Sequence, residues 1–262
     1  MLLVESRPSK RLLPLIPAGL LVQQIPPSPV KSCLAVLLTV LLSLLASCAE
    51  FPKDPEGTLN RVRGGVLRVG VSENPPWTSL INGRPAGIEA QLVEELASDL
   101  KANIEWVPGP ETQLMAALRR FELDLVVAGL DEESPWTGRV GFTKPYVRTT
   151  SLVGAPPGTP APLSLSGQEV AVRRGDPIAE RVRDEGGRPV PAEALPLPGK
   201  LIAGEDWQLA VWAYQPTRFV LKEHRRVVAA PPGENGWIAH LQRFLSRREA
   251  EVRAALLSGA KP

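Results

Sequence analysis

Two cysteines, two histidines and two methionines are all that this chain of 262 residues carries. Both cysteines, Cys33 and Cys48, lie before residue 50, so the rest of the chain has no disulfide framework and must be held by packing. The histidines, His224 and His240, are isolated in basic or helical sequence and show no metal-ligand spacing; both read as surface residues. A Gly-rich phosphate loop ending in Lys-Ser/Thr is missing, and so is Gly-x-Ser-x-Gly. Glu89 is a single carboxylate at a helix start, where acid–base chemistry needs a pair. These absences leave no catalytic residue, no metal site and no cofactor motif to name, and the expectation is a protein that is not an enzyme.

Long hydrophobic runs are also scarce. The stretch Leu34-Ala35-Val36-Leu37-Leu38-Thr39-Val40-Leu41-Leu42-Ser43-Leu44-Leu45 follows Lys31 and stops at Ala46-Ser47-Cys48. It falls short of the about 20 residues that a membrane-spanning helix needs. A positive residue, a short apolar core and small residues at its end define a secretory signal instead, so residues 1–47 are expected to be leader and the remainder extracytoplasmic. Pro8, Pro14, Pro17, Pro26, Pro27 and Pro29 precede it and suit neither an n-region nor a folded element; translation is expected to begin near Val30. The ending Leu45-Ala46-Ser47-Cys48 resembles the bacterial lipobox, which makes Cys48 the expected lipidation site and mature N-terminus. Charge is in short surplus as well. The formal net charge is +2, and residues 1–47 hold Arg7, Lys10, Arg11 and Lys31 against Glu5, which leaves the mature chain near −1. No basic field for nucleic acid survives.

What the chain does have is an ordered α/β block over residues 66–146. Val66-Leu67-Arg68-Val69-Gly70-Val71 is a short apolar strand that runs into Asn74-Pro75-Pro76-Trp77, where two prolines forbid its continuation. Ile88, Leu92, Val93, Leu96, Ala97 and Leu100 form a helical stripe. Residues 104–107 return as a strand, and Leu114, Met115, Leu118 and Phe121 mark a second helix. Residues 123–128 form a strand that ends at Gly129, and Val140-Gly141-Phe142-Thr143-Lys144-Pro145-Tyr146 leads the chain out. Strands alternating with helices predict a parallel sheet covered on both faces, with ligand loops at the strands' carboxyl ends. Gly129-Leu130-Asp131 stands at such an end.

Around this block the signals are looser. Residues 48–65 are polar and rich in proline and glycine, and read as a tether from the anchor. Strands are expected at 151–154, 168–172, 209–214 and 227–230. Asp176 as N-cap with Pro177 at the first helical position starts a helix through Ile178 and Val182. A C-terminal helix is marked by Trp237, Ile238, Leu241, Phe244 and Leu245 at helical spacing.

The block from Val66 to Tyr146 resembles the first lobe of the family 3 bacterial extracellular solute-binding proteins, the ligand receptors of ABC importers. The resemblance implies a two-lobed periplasmic-binding-protein-like α/β fold, each lobe a sheet flanked by helices, with the ligand cleft between the lobes. It places 66–149 plus 229–262 in lobe one and 150–228 in lobe two, so that the chain crosses twice and forms a hinge. It further implies a monomer that binds a small polar, amino-acid-like solute, needs no cofactor, and presents the solute to an ABC permease or a membrane sensor.

Carried onto this chain, the resemblance makes Trp77 an aromatic that stacks on the ligand, its face attractive to a ligand cation; otherwise the ring plugs lobe one. Asn74 hydrogen-bonds a polar ligand or favours the turn. In amino-acid-binding members a Thr and then an Arg follow the Gly129-Leu130-Asp131 position, and that Arg clamps the ligand's carboxylate. Counting back from Phe142-Thr143 puts Trp136 in the arginine's place and Glu133 in the threonine's. Arg139 reaches the cleft one turn further on or stays a solvated charge. Arg173-Arg174-Gly175-Asp176 occupies the family's anion-binding loop in lobe two, which nominates Arg173, Gly175 and Asp176. The acid that these binders place near 209–214 is missing, and Glu205 or Asp206 either replaces it or is merely solvated. Trp207, Trp212 and Tyr214 make that side aromatic. Two other readings stay open: an enzyme like the periplasmic cyclohexadienyl dehydratases, and a sensory or scaffolding lipoprotein that has lost its ligand. Lytic transglycosylases with a similar N-terminal module are disfavoured, on the expectation that no catalytic domain follows residue 262.

Overall fold

β1 (Val66–Val71) is the strand around which the first lobe assembles. The computed structural model describes residues 53–259, so the expected leader, Cys33 and the expected lipidation site Cys48 lie outside the described residues. β1 is preceded by α1 (Thr58–Val62) and followed by a hairpin, β2 (Ser79–Ile81) and β3 (Arg84–Ala86). Then come α2 (Ile88–Leu100), β4 (Asn103–Pro108), α3 (Glu111–Arg119), β5 (Leu125–Asp131), the short β6 (Gly141–Phe142) and β7 (Val147–Ala155). The second lobe adds β8 (Glu169–Arg173), α4 (Ile178–Asp184), β9 (Arg188–Ala192), β10 (Leu201–Glu205) and α5 (Asp206–Val211). The long β11 (Gln215–Ala230) returns the chain to α6 (Asn235–Leu245) and α7 (Glu249–Leu257).

One sheet runs through both lobes in the order β4-β1-β5-β11-β7-β10-β8-β9, with β6 added against β11. β1 pairs in parallel with β4 and β5, whereas β11 is antiparallel to both β5 and β7. β7 and β11 are the two crossings between lobes, and they lie side by side.

Alternation along the strands divides the first lobe's core into two layers. Leu125 and Val127 of β5, with Val228 and Ala230 of β11, face α2 and α6, where Leu92, Val93, Leu96, Trp237, Leu241 and Phe244 are buried. Val126, Ala128 and Leu130, with Val227 and Ala229, face Leu114, Met115 and Leu118 of α3. The second lobe has its own core of Val153, Leu165, Val170, Val172, Ile178, Val182, Ala203, Phe219 and Leu221.

Three local features depart from the sequence expectation. Residues 209–214 were expected as a strand but form the end of α5 and its turn. Gln208 reaches back to accept from the Glu205 N–H at 2.9 Å, as in a capping box, which favours a helix here. Ala213 then ends it in the left-handed conformation at φ 57. The stretch 227–230 is the tail of a much longer strand, β11. Part of the expected tether is folded onto the domain: Thr58 and Val62 of α1 are buried. The Glu234 carboxylate accepts from Glu56 N and Thr58 N, and Asp54 accepts from Trp237 N at 2.8 Å. These acids satisfy helix N-terminal donors that would otherwise lack partners.

Candidate functional site

Where β5 passes the end of α2, the apolar α2-facing side of the sheet turns polar. Gly129 continues the parity of Leu125 and Val127, and its φ of +58 brings the backbone under Trp77. A Cβ there would lie 2.5 Å from Trp77 Cδ1, so only glycine permits this approach. Its N–H donates to Glu89 Oε2 at 2.8 Å and its carbonyl accepts from Arg226 Nη1 at 2.9 Å. Tyr146 O–H donates to Glu89 Oε1 at 2.7 Å. Burial pushes the Glu89 carboxyl up from its ordinary value, with the bonds from Gly129 and Tyr146 pulling it back. The Tyr146 hydroxyl is raised well above the usual phenol range by burial and then by Glu89. Glu89 therefore braces the first lobe from below; it is not a cleft carboxylate.

Along β11 the parity of Val228 and Ala230 continues through Arg226, His224 and Lys222. On β7 the matching side carries Thr149 and Ser151, and on β10 it carries Glu205, which registers opposite Ser151. The result is a polar stripe across four strands. Arg226 Nη2 donates to Glu205 Oε1 at 2.8 Å, and Thr149 Oγ1 and Trp207 Nε1 donate to Glu205 Oε2, the latter at 3.0 Å. Ser151 Oγ lies 2.9 Å from His224 Nε2, and His224 Nδ1 lies 3.2 Å from Asp131 Oδ2. Lys222 Nζ is 3.9 Å from the same Asp131 oxygen.

A cavity of about 1000 Å³ opens over this stripe. Ser151, Glu205 and residues 220–226 line its floor, Asn74 and Glu133 its first-lobe wall, and Arg173, Asp176, Arg181, Gln208 and Trp212 its second-lobe wall. Asn74 is thus at the cleft, although its Nδ2 already donates to the Ala128 carbonyl at 2.9 Å. Arg173 and Asp176 reach it too. Asp176 Oδ1 caps the Ile178 N–H at 2.9 Å, as the Asp-Pro signal predicts. Gly175, at φ +79, turns the chain between them and contributes no side chain.

Other nominated residues sit elsewhere. Trp77 is 1% exposed and does not line the cleft; its face is covered by the Arg226 guanidinium, 4.9 Å from the ring centroid. Leu130 is buried in the α3-side core, because alternation turns it away from the stripe. Trp136 packs against that same core and donates through Nε1 to Glu111 Oε1 at 2.6 Å, so it stands outside the cleft lining. Arg139 is exposed and also outside the lining. Asp131 lies outside the lining, directly behind the floor residues Lys222 and His224 that contact it. His224, read from sequence as a surface residue, is 15% exposed in its side chain and lines the cleft. His240 is half-buried on α6, stacked on Trp237. Arg226, Ser151 and Lys222 were not legible; in sequence they sit in a charged run and a short apolar strand. Among the described residues no group of three or more His, Cys, Asp or Glu side chains forms a metal site.

A two-lobed α/β frame joined by paired crossing strands, with a wide polar cleft over the joint, defines a periplasmic-type binding protein. The model of the bacterial extracellular solute-binding proteins, family 3, matches residues 67–257, and the chain belongs to that family. It is similar to the membrane-bound lytic murein transglycosylase F of Vibrio cholerae, at 34% identity over 94 residues. That match covers 35% of this chain and spans only 18% of the transglycosylase. It is 24% identical over 124 residues to the probable histidine-binding protein of Campylobacter jejuni, covering 47% of this chain and 48% of that one. In fold it is similar to the unliganded, open L-cystine solute receptor of Neisseria gonorrhoeae, at a TM-score of 0.60 and 15% identity, covering 77% of this chain and 95% of the receptor.

Proposed function

We propose that the protein is a lipid-anchored extracytoplasmic receptor that captures a small zwitterionic or anionic organic solute, amino-acid-like in chemistry, and presents it to an ABC permease or a membrane sensor. The observation that carries this reading is the cleft between the lobes with its charged floor on the two crossing strands. In this reading Cys48 carries the lipid and an ABC permease or membrane sensor takes up the solute. The family's arginine position holds Trp136, but Arg226 supplies a substitute from the floor. Its Nη atoms are held by Glu205 and the Gly129 carbonyl, which fixes the guanidinium as a positive charge beneath the cleft. Arg173 and Arg181 complete the positive side from lobe two, and Glu133 and Glu223 offer acceptors for an ammonium group.

A thermal-shift screen of amino acids, organic acids, polyamines and aromatic amines tests this. A solute at 100 times its Kd raises stability by about 2.7 kcal/mol, a shift easily seen. For the solute found, Arg173→Ala is expected to weaken binding roughly tenfold to a hundredfold, the loss of one charge-assisted hydrogen bond, while the melting temperature of the free protein stays unchanged because Arg173 is exposed. Calorimetry checks both. No transition shifted by any of these solutes ends the receptor reading.

A second reading, a lipoprotein that keeps the fold without a ligand, is favoured by one observation: the chain's own Arg226 takes the stacking place over Trp77. The same screen separates the two.

A further inference from the structure

We propose that Ser151, His224 and Asp131 form a nucleophile–base–orienting triad in the cleft, which gives the protein an acyl-transfer activity toward small esters. Three adjacent strands supply the three groups. Thr149 pairs with His224 and Ser151 with Lys222 across β7 and β11, so Ser151 and His224 are diagonal neighbours on one face. Arg226 pairs with Asp131 across β11 and β5, which sets Asp131 diagonally beyond His224 on that face. A line of serine, imidazole and carboxylate results, with contacts of 2.9 and 3.2 Å.

The order of atoms along that line matters more than the proximity. The carboxylate only accepts, so the imidazole proton sits on Nδ1, facing Asp131, and Nε2 is left as the acceptor for the Ser151 hydroxyl. Asp131 is itself fixed by the Glu133 N–H at 3.0 Å on its other oxygen. Burial holds the His224 imidazole below its ordinary value of 6.5, with Arg226 and Lys222 acting the same way and Glu205 and Asp131 opposing them. The ring is therefore neutral and basic at pH 7. Ser151 and His224 both line the 1000 Å³ cavity, which gives a substrate access to them. This combination meets the geometric definition of an activated serine, which is recognised by roles and not by chain order.

In the reaction Ser151 Oγ bonds to the ester carbonyl carbon as its proton passes to His224 Nε2. The carbon–oxygen bond to the alcohol then breaks, and the alcohol leaves with that proton. Water repeats both steps on the acyl-serine, releasing the carboxylic acid and restoring the serine. Asp131 stabilises the transient imidazolium. The cationic side chains of Lys222 and Arg225 line the same cavity, where they favour the negative oxygen of the tetrahedral species.

The test uses the full chain with a fluorophosphonate probe and with p-nitrophenyl acetate. One probe per chain is expected on Ser151 by mass spectrometry, with a burst of p-nitrophenol. Ser151→Ala is expected to abolish the label while melting as wild type, and His224→Asn to slow labelling at least a hundredfold. The rate rises with pH as the imidazole loses its proton, below 6.5. Asp131→Asn removes a negative charge from the ring, so it moves that limb to lower pH as well as lowering the plateau, which a purely structural role would not do. An unlabelled wild type, or labelling that survives in Ser151→Ala, overturns the proposal. The outcome is separable from the receptor reading: solute binding without labelling rejects the triad alone, and labelling without solute binding rejects the receptor alone.

Discussion

Glu205→Ala is expected to cost about 3–5 kcal/mol of folding stability, as breaking one side of a buried ion pair does. The carboxylate accepts from three side chains on three elements: Arg226 on β11, Thr149 on β7 and Trp207 on α5. Its main partner, Arg226, is 8% exposed and already carries one buried N–H without an acceptor. Without Glu205 the guanidinium keeps only the Gly129 carbonyl and the Trp77 face, and its charge stays out of water. The double variant Glu205→Leu with Arg226→Met is expected to lose less than Glu205→Ala alone, because an apolar pair of similar volume leaves no orphan charge. Urea denaturation of the four members of the cycle measures this. Losses of Glu205→Leu and Arg226→Met that simply add in the double variant show that the pair is not energetically coupled. Added salt should change little, because the two side chains are only 10% and 15% exposed.

Asp124→Ala is expected to cost about 2–4 kcal/mol, on the same principle with a smaller residue of stranded charge. Asp124 has no exposed side-chain surface and accepts Arg61 Nη2 and Arg68 Nη2, each at 2.7 Å, with Arg68 Nε at 3.1 Å and the Arg68 backbone N–H at 2.9 Å. It ties α1 and β1 to the start of β5. The arginines are 41% and 28% exposed, so they rehydrate in part when the acid is gone, which keeps the loss below the fully buried figure. The pH dependence distinguishes this site. Burial works to raise the Asp124 carboxyl, but the bonds from Arg68 and Arg61 outweigh it and hold the group below 3.8. A depressed acid contributes stability above its unfolded value and loses it as pH falls through the folded one. The gap between wild type and variant should therefore be full at pH 7 and narrow below pH about 3.8. Glu89 acts with the opposite sign, because its raised carboxyl contributes stability below 4.5 that is lost as pH rises. Denaturant midpoints at pH 7 and pH 3 check the prediction, and a gap that does not narrow in acid contradicts it.

The first lobe was legible because each of its elements has a strong local period. The stripe Ile88, Leu92, Val93, Leu96 has a single helical reading, and the apolar runs of β1 and β5 are short and bounded by turns. The second lobe offered weaker signals. β9 contains Pro189 and Pro191, which argue against a strand, yet it is an edge strand paired only with β8, where proline is tolerated. The hairpin of β2 and β3 turns at Asn82-Gly83, both with positive φ, a signal carried by only two residues. Of the site, Asn74, Asp131, Arg173 and Asp176 were legible as ends of strands and starts of helices. Arg226, His224 and Lys222 were not, since Lys222-Glu223-His224-Arg225-Arg226 has the composition of a solvated charge run. Only the register of β11 against β5 and β7 shows that this run crosses the cleft floor, and that Lys222, His224 and Arg226 share one face with Ser151 and Asp131. Trp77 and Trp136 were misleading for a related reason: position beside a ligand loop does not say on which side of the sheet a large ring finds room.

The clasp between Asp54, Thr58 and the acidic entrance of α6 has a consequence for the order in which the molecule is made. Glu234 and Thr58 are separated by 176 positions in the chain, and the core that includes Val62 also includes Leu256. The second lobe's cores fall entirely within residues 152–221. A ribosome delivering this chain therefore releases a finished second lobe while the first is still missing its last two helices. Until those helices emerge, the core of Leu67, Val69 and Leu96 lacks Trp237, Leu241, Phe244 and Leu256. The segment around Asp54 and Thr58 waits longest for its partner, and the described domain is closed by the joining of its first helix to its last two.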